Sequence, residues 1–299
     1  MMPPKDNRKD KVLILGSEGQ LGKSLEEALK NQFSIESVNK RKFDFLNPKK
    51  ISDLLSHKTK YVINAAAYTD VEQAEIDINL AELINGEALK AISQACYEKK
   101  IKLFHFSSDY VFDGKKDQPY SEEDVPNPIS IYGKSKLLGE KLIQENTEDF
   151  LIFRTSGIIS KNPNNFIYKI ISASEIQDEL KIVSDQKTSL NFSGFLADAV
   201  LKIINLIEVK EEDNLKGVFN LVGPSYGSWY EFAKFAQELS ELKGINSKFS
   251  KINIVPVSTD EMNFKAQRPR FSHLSSDKLK KVLSLSLPNW KKSIEAILN

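Results

Sequence analysis

The feature that most constrains the fold is a glycine-rich turn that follows a short apolar run near the N-terminus. Residues 12–15 read Val-Leu-Ile-Leu, and three glycines follow at three-residue spacing. Glycines allow the tight turn and the close approach of backbone to a pyrophosphate, and the helix N-terminus that follows faces the negative charge. This segment predicts a dinucleotide site. The residues predicted to form it are Gly16, Gly19, Gln20, Leu21 and Gly22.

Short apolar strands alternate with helices through the first half of the chain. The predicted strands are 11–15, 33–38, 61–65, 102–106 and 150–154, and the predicted helices are 20–30, 48–56, 79–98 and 130–146. This alternation predicts an α/β fold with a doubly wound parallel sheet of Rossmann type. We assign residues 11–160 to an NAD(P)-binding domain and the polar residues 1–10 to a disordered tail.

The second half is interrupted more often by Gly, Pro, Asn and Ser. The predicted helices are 166–174, 192–206, 228–242, 276–283 and 290–298, with short strands near Ile182 and Phe219. We interpret residues 161–299 as a smaller, mixed α/β substrate-binding lobe that is interwoven with the first domain.

Composition argues against several classes of protein. The 299 residues include 42 basic and 41 acidic side chains, so charge gives no reason to expect nucleic acid or membrane binding. No stretch approaches the roughly 18 apolar residues of a membrane span. The single cysteine, Cys96, excludes an internal disulfide and fits a core position in a cytoplasmic protein. The three histidines show no ligand spacing, so no metal is predicted.

A second signal is Tyr132, which precedes Lys136 by four residues at the start of a predicted helix. Residues four apart share one helix face, and a nearby ammonium lowers a tyrosine pKa from about 10 toward the working pH. Ser107 and Ser108 end the preceding strand, where a hydroxyl can bond a reacting carbonyl oxygen. The glycine turn, the hydroxyls and the Tyr-x-x-x-Lys pattern, in this order, indicate a nicotinamide-dependent enzyme of sugar or alcohol chemistry.

The same Tyr-x-x-x-Lys spacing recurs at Tyr230 and Lys234. No glycine turn or hydroxyl-bearing strand is placed to serve this second copy. We interpret it as part of an amphipathic helix.

The choice of coenzyme is predicted from the end of the second strand. An acidic residue there would bond the 2′-hydroxyl of NAD, but the sequence reads Asn39-Lys40-Arg41. Lys40 and Arg41 can pair with a 2′-phosphate, which favours NADPH; NADH and a merely solvated basic turn are the alternatives. Further predicted contacts along the cofactor are Asp44, Phe45, Ala65, Ala66 and Ala67.

Motifs over nearly the whole chain match one family. They are the segments 16–22, 64–72, 85–88, 106–114, 128–140, 154–155, 164–166, 185–186, 217–221 and 268–269, with Ser272 and Leu274. On these residues the chain resembles the dTDP-4-dehydrorhamnose reductases, which are extended short-chain dehydrogenase/reductases. The run Asp-Tyr-Val-Phe-Asp-Gly at 109–114 is far more specific to them than the Tyr-x-x-x-Lys spacing.

The resemblance implies reduction of the 4-keto group of dTDP-4-keto-6-deoxy-L-mannose to dTDP-L-rhamnose in polysaccharide biosynthesis. It implies that Tyr132 is the proton donor, that Lys136 holds the nicotinamide ribose, and that Ser108 bonds the keto oxygen. The remaining implied contacts are Asn85 and Ser107 for the cofactor, and Ser108, Asp109, Tyr110, Asn165 and Arg268 for the nucleotide sugar. A homodimer is compatible with the resemblance.

The chain departs from the family pattern at four places, one of which is the segment 185–189, where the family's usual glycine and proline are missing. Ser108 stands where the family usually has threonine, and it keeps the hydroxyl. No aromatic residue follows Arg154-Thr155, where the family commonly has a tryptophan beside the substrate. Ser24 stands where some members have a metal-binding glutamate at a dimer contact, so that metal is not predicted.

Two other functions stay open at this point. One is a related sugar-nucleotide epimerase or dehydratase, which would keep NAD tightly bound. The other is a non-catalytic regulatory subunit that binds NADP and a partner enzyme.

Overall fold

The computed structural model of the protein describes residues 10–210 and 215–299. The predicted disordered tail lies outside these ranges except for its last residue. The strands are β1 Lys11–Leu15, β2 Ser34–Val38, β3 Thr59–Asn64, β4 Lys102–Ser108, β5 Phe150–Thr155, β6 Gly157–Ile159, β7 Glu179–Val183, β8 Lys187–Thr188, β9 Leu190–Phe192, β10 Gly217–Asn220, β11 Gly227–Ser228 and β12 Asn253–Val257. The α-helices are α1 Gln20–Leu29, α2 Ile51–Leu54, α3 Val71–Ala74, α4 Ile78–Glu82, α5 Ala88–Glu98, α6 Ile131–Asn146, α7 Phe166–Ser174, α8 Ser193–Lys210, α9 Trp229–Lys243, α10 Asp277–Leu283 and α11 Trp290–Ile297.

A six-stranded sheet forms the centre of the molecule. Its order is β2-β1-β3-β4-β5-β10, and every neighbouring pair is parallel. After β2 the chain crosses to the far side of β1 to form β3, so the strand order reverses between β1 and β3. Ligands of open α/β sheets bind at such a reversal, beyond the carboxyl ends of the strands. The Rossmann-type fold predicted from the sequence is confirmed.

Both faces of this sheet are buried, which explains why its strands are continuous apolar runs. Successive residues of β1 point to opposite faces. Val12 and Ile14 join one core with residues of α1 and α8, whereas Leu13 and Leu15 join another with residues of α5. Cys96 is fully buried in the second core, and burial raises the pKa of its thiol to about 12.

The second half of the chain contributes to both parts of the molecule. Helix α8 packs against α1, and β10 pairs with β5 to complete the central sheet. A third core lies among α7, α9 and α11, beside the paired strands β7 and β12. The pairs β6–β9 and β8–β11 connect this lobe to the end of the central sheet.

The predicted helix 79–98 is divided in the structure. A π-helical turn, Leu83–Glu87, separates α4 from α5. Gly86 lies in this turn, and a Cβ there would be 2.5 Å from Cδ2 of Leu138 on α6. The wide turn and the missing side chain together allow α6 to pack closely at this point.

Candidate active site

A cavity of about 1120 Å³ opens at the carboxyl ends of the central strands, beside the reversal between β1 and β3. It extends from the glycine turn to residues of the second half. The sequence-predicted site residues that line it are Gly16, Gly19, Gln20, Leu21, Lys40, Phe45, Ala65, Ala66, Ala67, Ser107, Ser108, Asp109, Tyr110, Tyr132, Lys136, Asn165 and Arg268.

The glycine turn requires glycine at two of its positions. Gly16 has a φ of +79°, and a Cβ there would lie 2.6 Å from the backbone nitrogen of Ala66. Gly22 does not line the cavity, and a Cβ there would lie 2.2 Å from the carbonyl oxygen of Gly16. Gly22 therefore sets the close packing of α1 on the turn. Gly19 precedes α1 and offers no side chain to cap its first N–H groups.

Besides Gly22, three predicted cofactor contacts lie outside the cavity lining. The Asn85 amide bonds both the N–H and the carbonyl of Tyr68, and it also donates to the Ser135 hydroxyl at 3.0 Å. Its side chain therefore positions the Tyr68 backbone, and its contact with the cofactor stays a prediction. Asp44 accepts a hydrogen bond from the Leu46 N–H, and Arg41 is exposed next to the lining residue Lys40.

Asn165 lines the cavity, but its side chain is engaged elsewhere. Its oxygen caps α7 by accepting from the N–H groups of Ile167 and Tyr168. Its nitrogen donates to the carbonyls of Ser160 and Asn162. These bonds shape the wall of the cavity, and a contact between Asn165 and the substrate stays a prediction.

Tyr132 and Lys136 lie on the first turns of α6, which the Ser130 hydroxyl caps by accepting from the Gly133 N–H. Gly133 allows the helix to approach the turn that follows β4, because a Cβ there would be 2.1 Å from the carbonyl oxygen of Tyr110. The rings of Tyr110 and Tyr132 pack edge to face at 5.7 Å. These contacts bring Tyr132 to the end of β4, where Ser108 lies.

Lys136 is buried, with 1% of its surface exposed. Its Nζ donates to the carbonyl oxygen of Phe106 at 2.6 Å and lies 3.4 Å from Nε2 of His105. Burial lowers the pKa of Lys136 to about 8, although the nearby Glu140 carboxylate acts in the opposite direction. Burial and the charge of Lys136 lower the pKa of His105 well below its ordinary value, so this imidazole is neutral.

The pKa of Tyr132 is raised, whereas the sequence predicted that Lys136 would lower it. Burial raises it, with further increases from the charge of Asp109 and from Tyr110, while a hydrogen bond with Ser108 lowers it. Lys136 is not among these causes, because its ammonium is directed to the Phe106 carbonyl. The expected lowering of the tyrosine pKa by Lys136 is therefore absent from this arrangement of the described residues.

The carboxylate of Asp109 accepts hydrogen bonds from three hydroxyl groups, which come from three parts of the chain. It accepts from Ser108 at 3.0 Å, from Thr188 of β8 at 3.0 Å and from Ser272 at 2.6 Å. Burial raises the pKa of Asp109 to about 6, although the bonds from the three hydroxyls lower it. The cluster fixes the end of β4, and with it Ser108, against the second lobe.

Arg268 lies at another part of the wall, beside the Tyr110 hydroxyl. Its Nη2 is 2.7 Å from Oε1 of Glu72, and its guanidinium lies 4.3 Å from the centre of the Phe264 ring. Its buried Nε has no hydrogen-bond partner within the described ranges. This leaves one donor for a ligand acceptor.

The sequence interpretation missed a buried ion pair that supports the site. Arg154 of β5 makes a two-point contact with Glu140 of α6, with the shorter bond at 2.7 Å, and Ser107 also donates to Glu140. Glu140 follows Lys136 by four residues, so helix spacing was the available signal. The pair holds β4, β5 and α6 together directly behind the cavity.

Trp229 also lines the cavity and was missed. It begins α9, whose capping box Ser228–Glu231 marks the helix start. The neighbouring Tyr230 and Lys234 lie on this helix, as interpreted from the sequence, and outside the cavity lining.

Within residues 10–210 and 215–299, no helix is long and apolar enough to cross a bilayer, and no cluster of acidic, histidine or cysteine side chains is arranged to hold a metal. Ser24, at the position of the family's metal-binding glutamate, contacts Ser193 at 2.7 Å between α1 and α8.

The parallel sheet, the glycine turn at its strand reversal and the Tyr132–Lys136 helix define a protein of the short-chain dehydrogenase/reductase class. Comparison with known proteins agrees. The profile of the family described as RmlD substrate binding domain matches residues 10–299. The chain belongs to this family.

Individual relatives cover almost the whole chain. The dTDP-4-dehydrorhamnose reductase of Escherichia coli strain K12 is 33% identical, over 96% of this chain and 97% of that protein. The enzyme of the same name from Shigella flexneri is 32% identical, over the same shares. The crystal structure of dTDP-4-dehydrorhamnose reductase from Bacillus anthracis in complex with NADP superposes with a TM-score of 0.86. It is 32% identical and covers 97% of this chain and 98% of that one. The resemblance found in the sequence is confirmed.

Proposed function

We propose that the protein reduces the 4-keto group of dTDP-4-keto-6-deoxy-L-mannose to give dTDP-L-rhamnose, with NADPH as the reductant. The observation that carries the proposal is that Tyr132, Lys136 and Ser108 open onto the same cavity as the glycine turn. The relatives named dTDP-4-dehydrorhamnose reductase, one of them solved with NADP, support this choice of substrate and coenzyme.

The residues present fit a dinucleotide. The uncapped N-terminus of α1 and the close backbone approach at Gly16 suit a pyrophosphate, and Lys40 supplies a cation for a 2′-phosphate. The Thr155 hydroxyl, which is buried and lines the cavity, has no hydrogen-bond partner among the described residues. It is therefore available to a ligand.

The reaction requires a hydride on the keto carbon and a proton on the keto oxygen. Bound NADPH supplies the hydride. Ser108 donates a hydrogen bond to the keto oxygen, and Tyr132 transfers its phenolic proton to that oxygen as negative charge develops there. The buried ammonium of Lys136, which already donates to the Phe106 carbonyl, holds the ribose beside Tyr132.

The decisive experiment follows NADPH absorbance while dTDP-4-keto-6-deoxy-L-mannose is generated in situ, and then identifies the sugar product. Consumption of NADPH with formation of dTDP-L-rhamnose supports the proposal. NADPH binding without turnover would instead support the regulatory-subunit alternative. Tightly held NAD⁺ in the purified protein would support the epimerase or dehydratase alternative.

We further propose that the chain divides into two domains near residue 160, that the protein is cytoplasmic and that it forms a homodimer. The single buried cysteine supports the second. Light scattering of the purified protein would test the third.

A further inference from the structure

Trp229 is an aromatic residue of the cavity wall that lies at the start of a helix. It lines the cavity, yet it comes from α9 of the second lobe. Its ring is held by edge-to-face contacts with Phe166 at 4.8 Å and with Phe232 at 5.8 Å. Its indole N–H makes no hydrogen bond within the described ranges, although Trp290 donates to the Tyr226 carbonyl at 3.1 Å. Trp229 is thus a fixed aromatic surface with a free donor.

The space that Trp229 fills is created by a glycine. A Cβ on Gly157 would lie 3.2 Å from Cη2 of the Trp229 ring and 3.0 Å from Cδ1 of Leu190. Both distances are shorter than ordinary van der Waals contact, so a larger side chain at 157 would displace the indole or the leucine. Gly157 and Trp229 therefore form a matched pair.

This pair lies close to the reacting end of the cavity. Gly157 is two residues beyond Thr155, which is the direct partner of Ser108 in the β4–β5 pairing. Trp229 directly follows β11, whose Gly227 pairs with Thr188. Thr188 bonds Asp109, and Asp109 bonds Ser108. Two independent connections thus place the indole on the Ser108 side of the cavity.

We propose that Trp229 is the aromatic wall of the sugar subsite and that Gly157 admits it there, so that the two residues together select the sugar. This inference rests on the proposed function and adds a substrate class. A 6-deoxyhexose presents C–H groups and a methyl group, and an aromatic surface binds such groups through dispersion and exclusion of water. The free indole N–H gives the wall one donor for a sugar hydroxyl or ring oxygen.

The chain offers a direct optical test, because it contains two tryptophans. Trp290 is 9% exposed and belongs to the third core, outside the cavity lining. With NADP⁺ saturating, we expect dTDP-L-rhamnose to quench the fluorescence of the wild-type protein more strongly than dTDP does. Trp229→Phe should abolish this difference, while Trp290→Phe should retain it.

Kinetics give the second readout. We expect Trp229→Ala to raise the KM for the keto sugar by about tenfold, with a smaller change in kcat and an unchanged dissociation constant for dTDP. Trp229→Phe should lie between the wild-type protein and the alanine variant. A folded Trp229→Ala protein with wild-type KM and wild-type fluorescence quenching would overturn the proposal.

A variant that leaves Trp229 in place guards against loss of folding. Gly157→Val should weaken binding of dTDP-L-rhamnose but not of dTDP, because its side chain meets the indole. The double variant Gly157→Trp with Trp229→Ala should regain affinity relative to either single change. Equal effects of Gly157→Val on both ligands would overturn the pairing of the two residues.

These results also separate this inference from the proposed reaction. Turnover of the keto sugar that is insensitive to Trp229 would refute the wall and leave the reaction. Quenching by dTDP-L-rhamnose that depends on Trp229, without any turnover by the wild-type protein, would refute the reaction and support the wall.

Discussion

Ser108 donates a hydrogen bond to the carboxylate of the next residue, Asp109, at 3.0 Å. The proposed role of Ser108 requires the same hydrogen for the substrate oxygen. The carboxylate also accepts bonds from Thr188 and Ser272, so the second lobe has a direct influence on the orientation of Ser108. The ionisation state of Asp109 therefore affects both the stability of the fold and the geometry of the site.

We predict that stability reports the titration of Asp109. Burial raises its pKa from an ordinary 3.8 to about 6, so the folded protein binds this proton more tightly than the unfolded chain. Its contribution to the free energy of unfolding should then decrease by about 1–3 kcal/mol as pH rises from about 4 to about 6, and stay constant above. Denaturant unfolding of wild type and Asp109→Asn across this range measures the difference. If the difference in the free energy of unfolding between the two proteins instead increases with pH, then the bonds from the three hydroxyls outweigh burial and lower the pKa of Asp109.

Tyr132→Phe should lower kcat by about 10²–10⁴-fold, because it removes the proposed proton donor. NADPH binding, measured by fluorescence titration, should stay near the wild-type value. The matched control is Tyr230→Phe, which changes the tyrosine of the other Tyr-x-x-x-Lys pattern outside the cavity. Wild-type turnover by Tyr132→Phe would assign the proton to another group.

Lys136→Met should weaken NADPH binding by about tenfold or more and also lower kcat, because a charged donor is lost. Lys234→Met serves as its control. The pKa of Lys136, lowered by burial to about 8, adds a pH dependence. Since the ammonium is the active form, NADPH affinity of the wild-type protein should fall as pH rises through about 8. Affinity that stays constant to pH 9 would argue against this role.

Lys40→Ala should raise the KM for NADPH by about tenfold and leave the KM for NADH nearly unchanged, as expected for loss of one charged contact to a 2′-phosphate. Arg41→Ala should have a smaller effect, because only Lys40 lines the cavity. Steady-state kinetics with both coenzymes decides the matter. Equal changes with NADPH and NADH would remove the argument for a phosphate contact.

Glu140→Gln should destabilise the protein by about 3 kcal/mol or more, because Arg154 would keep a buried charge without its counterion. Glu295→Gln, which breaks the exposed pair with Lys292, should change stability by less than about 1 kcal/mol. Chemical denaturation compares the two variants. Similar small effects would show that the Ser107 and Arg154 contacts contribute little to the fold.

The elements that carry a strong local signal were predictable. β1 and α7 have the bounds expected from sequence, since apolar runs and capping residues mark them. β8 and β11 have two residues each and are defined by pairing with segments that are distant in sequence, so no local pattern marks them.

The same limit applies to the site. The glycine turn and the Tyr132–Lys136 pair are local patterns. The Asp109 cluster joins hydroxyls from residues 188 and 272, which only the tertiary fold brings together. The position of Trp229 was not predicted, because the pattern of its neighbours indicates only an amphipathic helix. Helix periodicity does not show that the Trp229 ring packs against Gly157 of β6.

The placement of β10 has a consequence for how the chain folds during its synthesis. β10 pairs with β5, yet Gly217–Asn220 are made long after Phe150–Thr155. Until then, the apolar strand β5 has one unpaired edge, and such edges recruit strands of other chains. Because translation proceeds at about 5–20 residues per second, this edge is exposed for several seconds. Nascent chains that stall between these strands should therefore be the species that chaperones bind and that aggregate first.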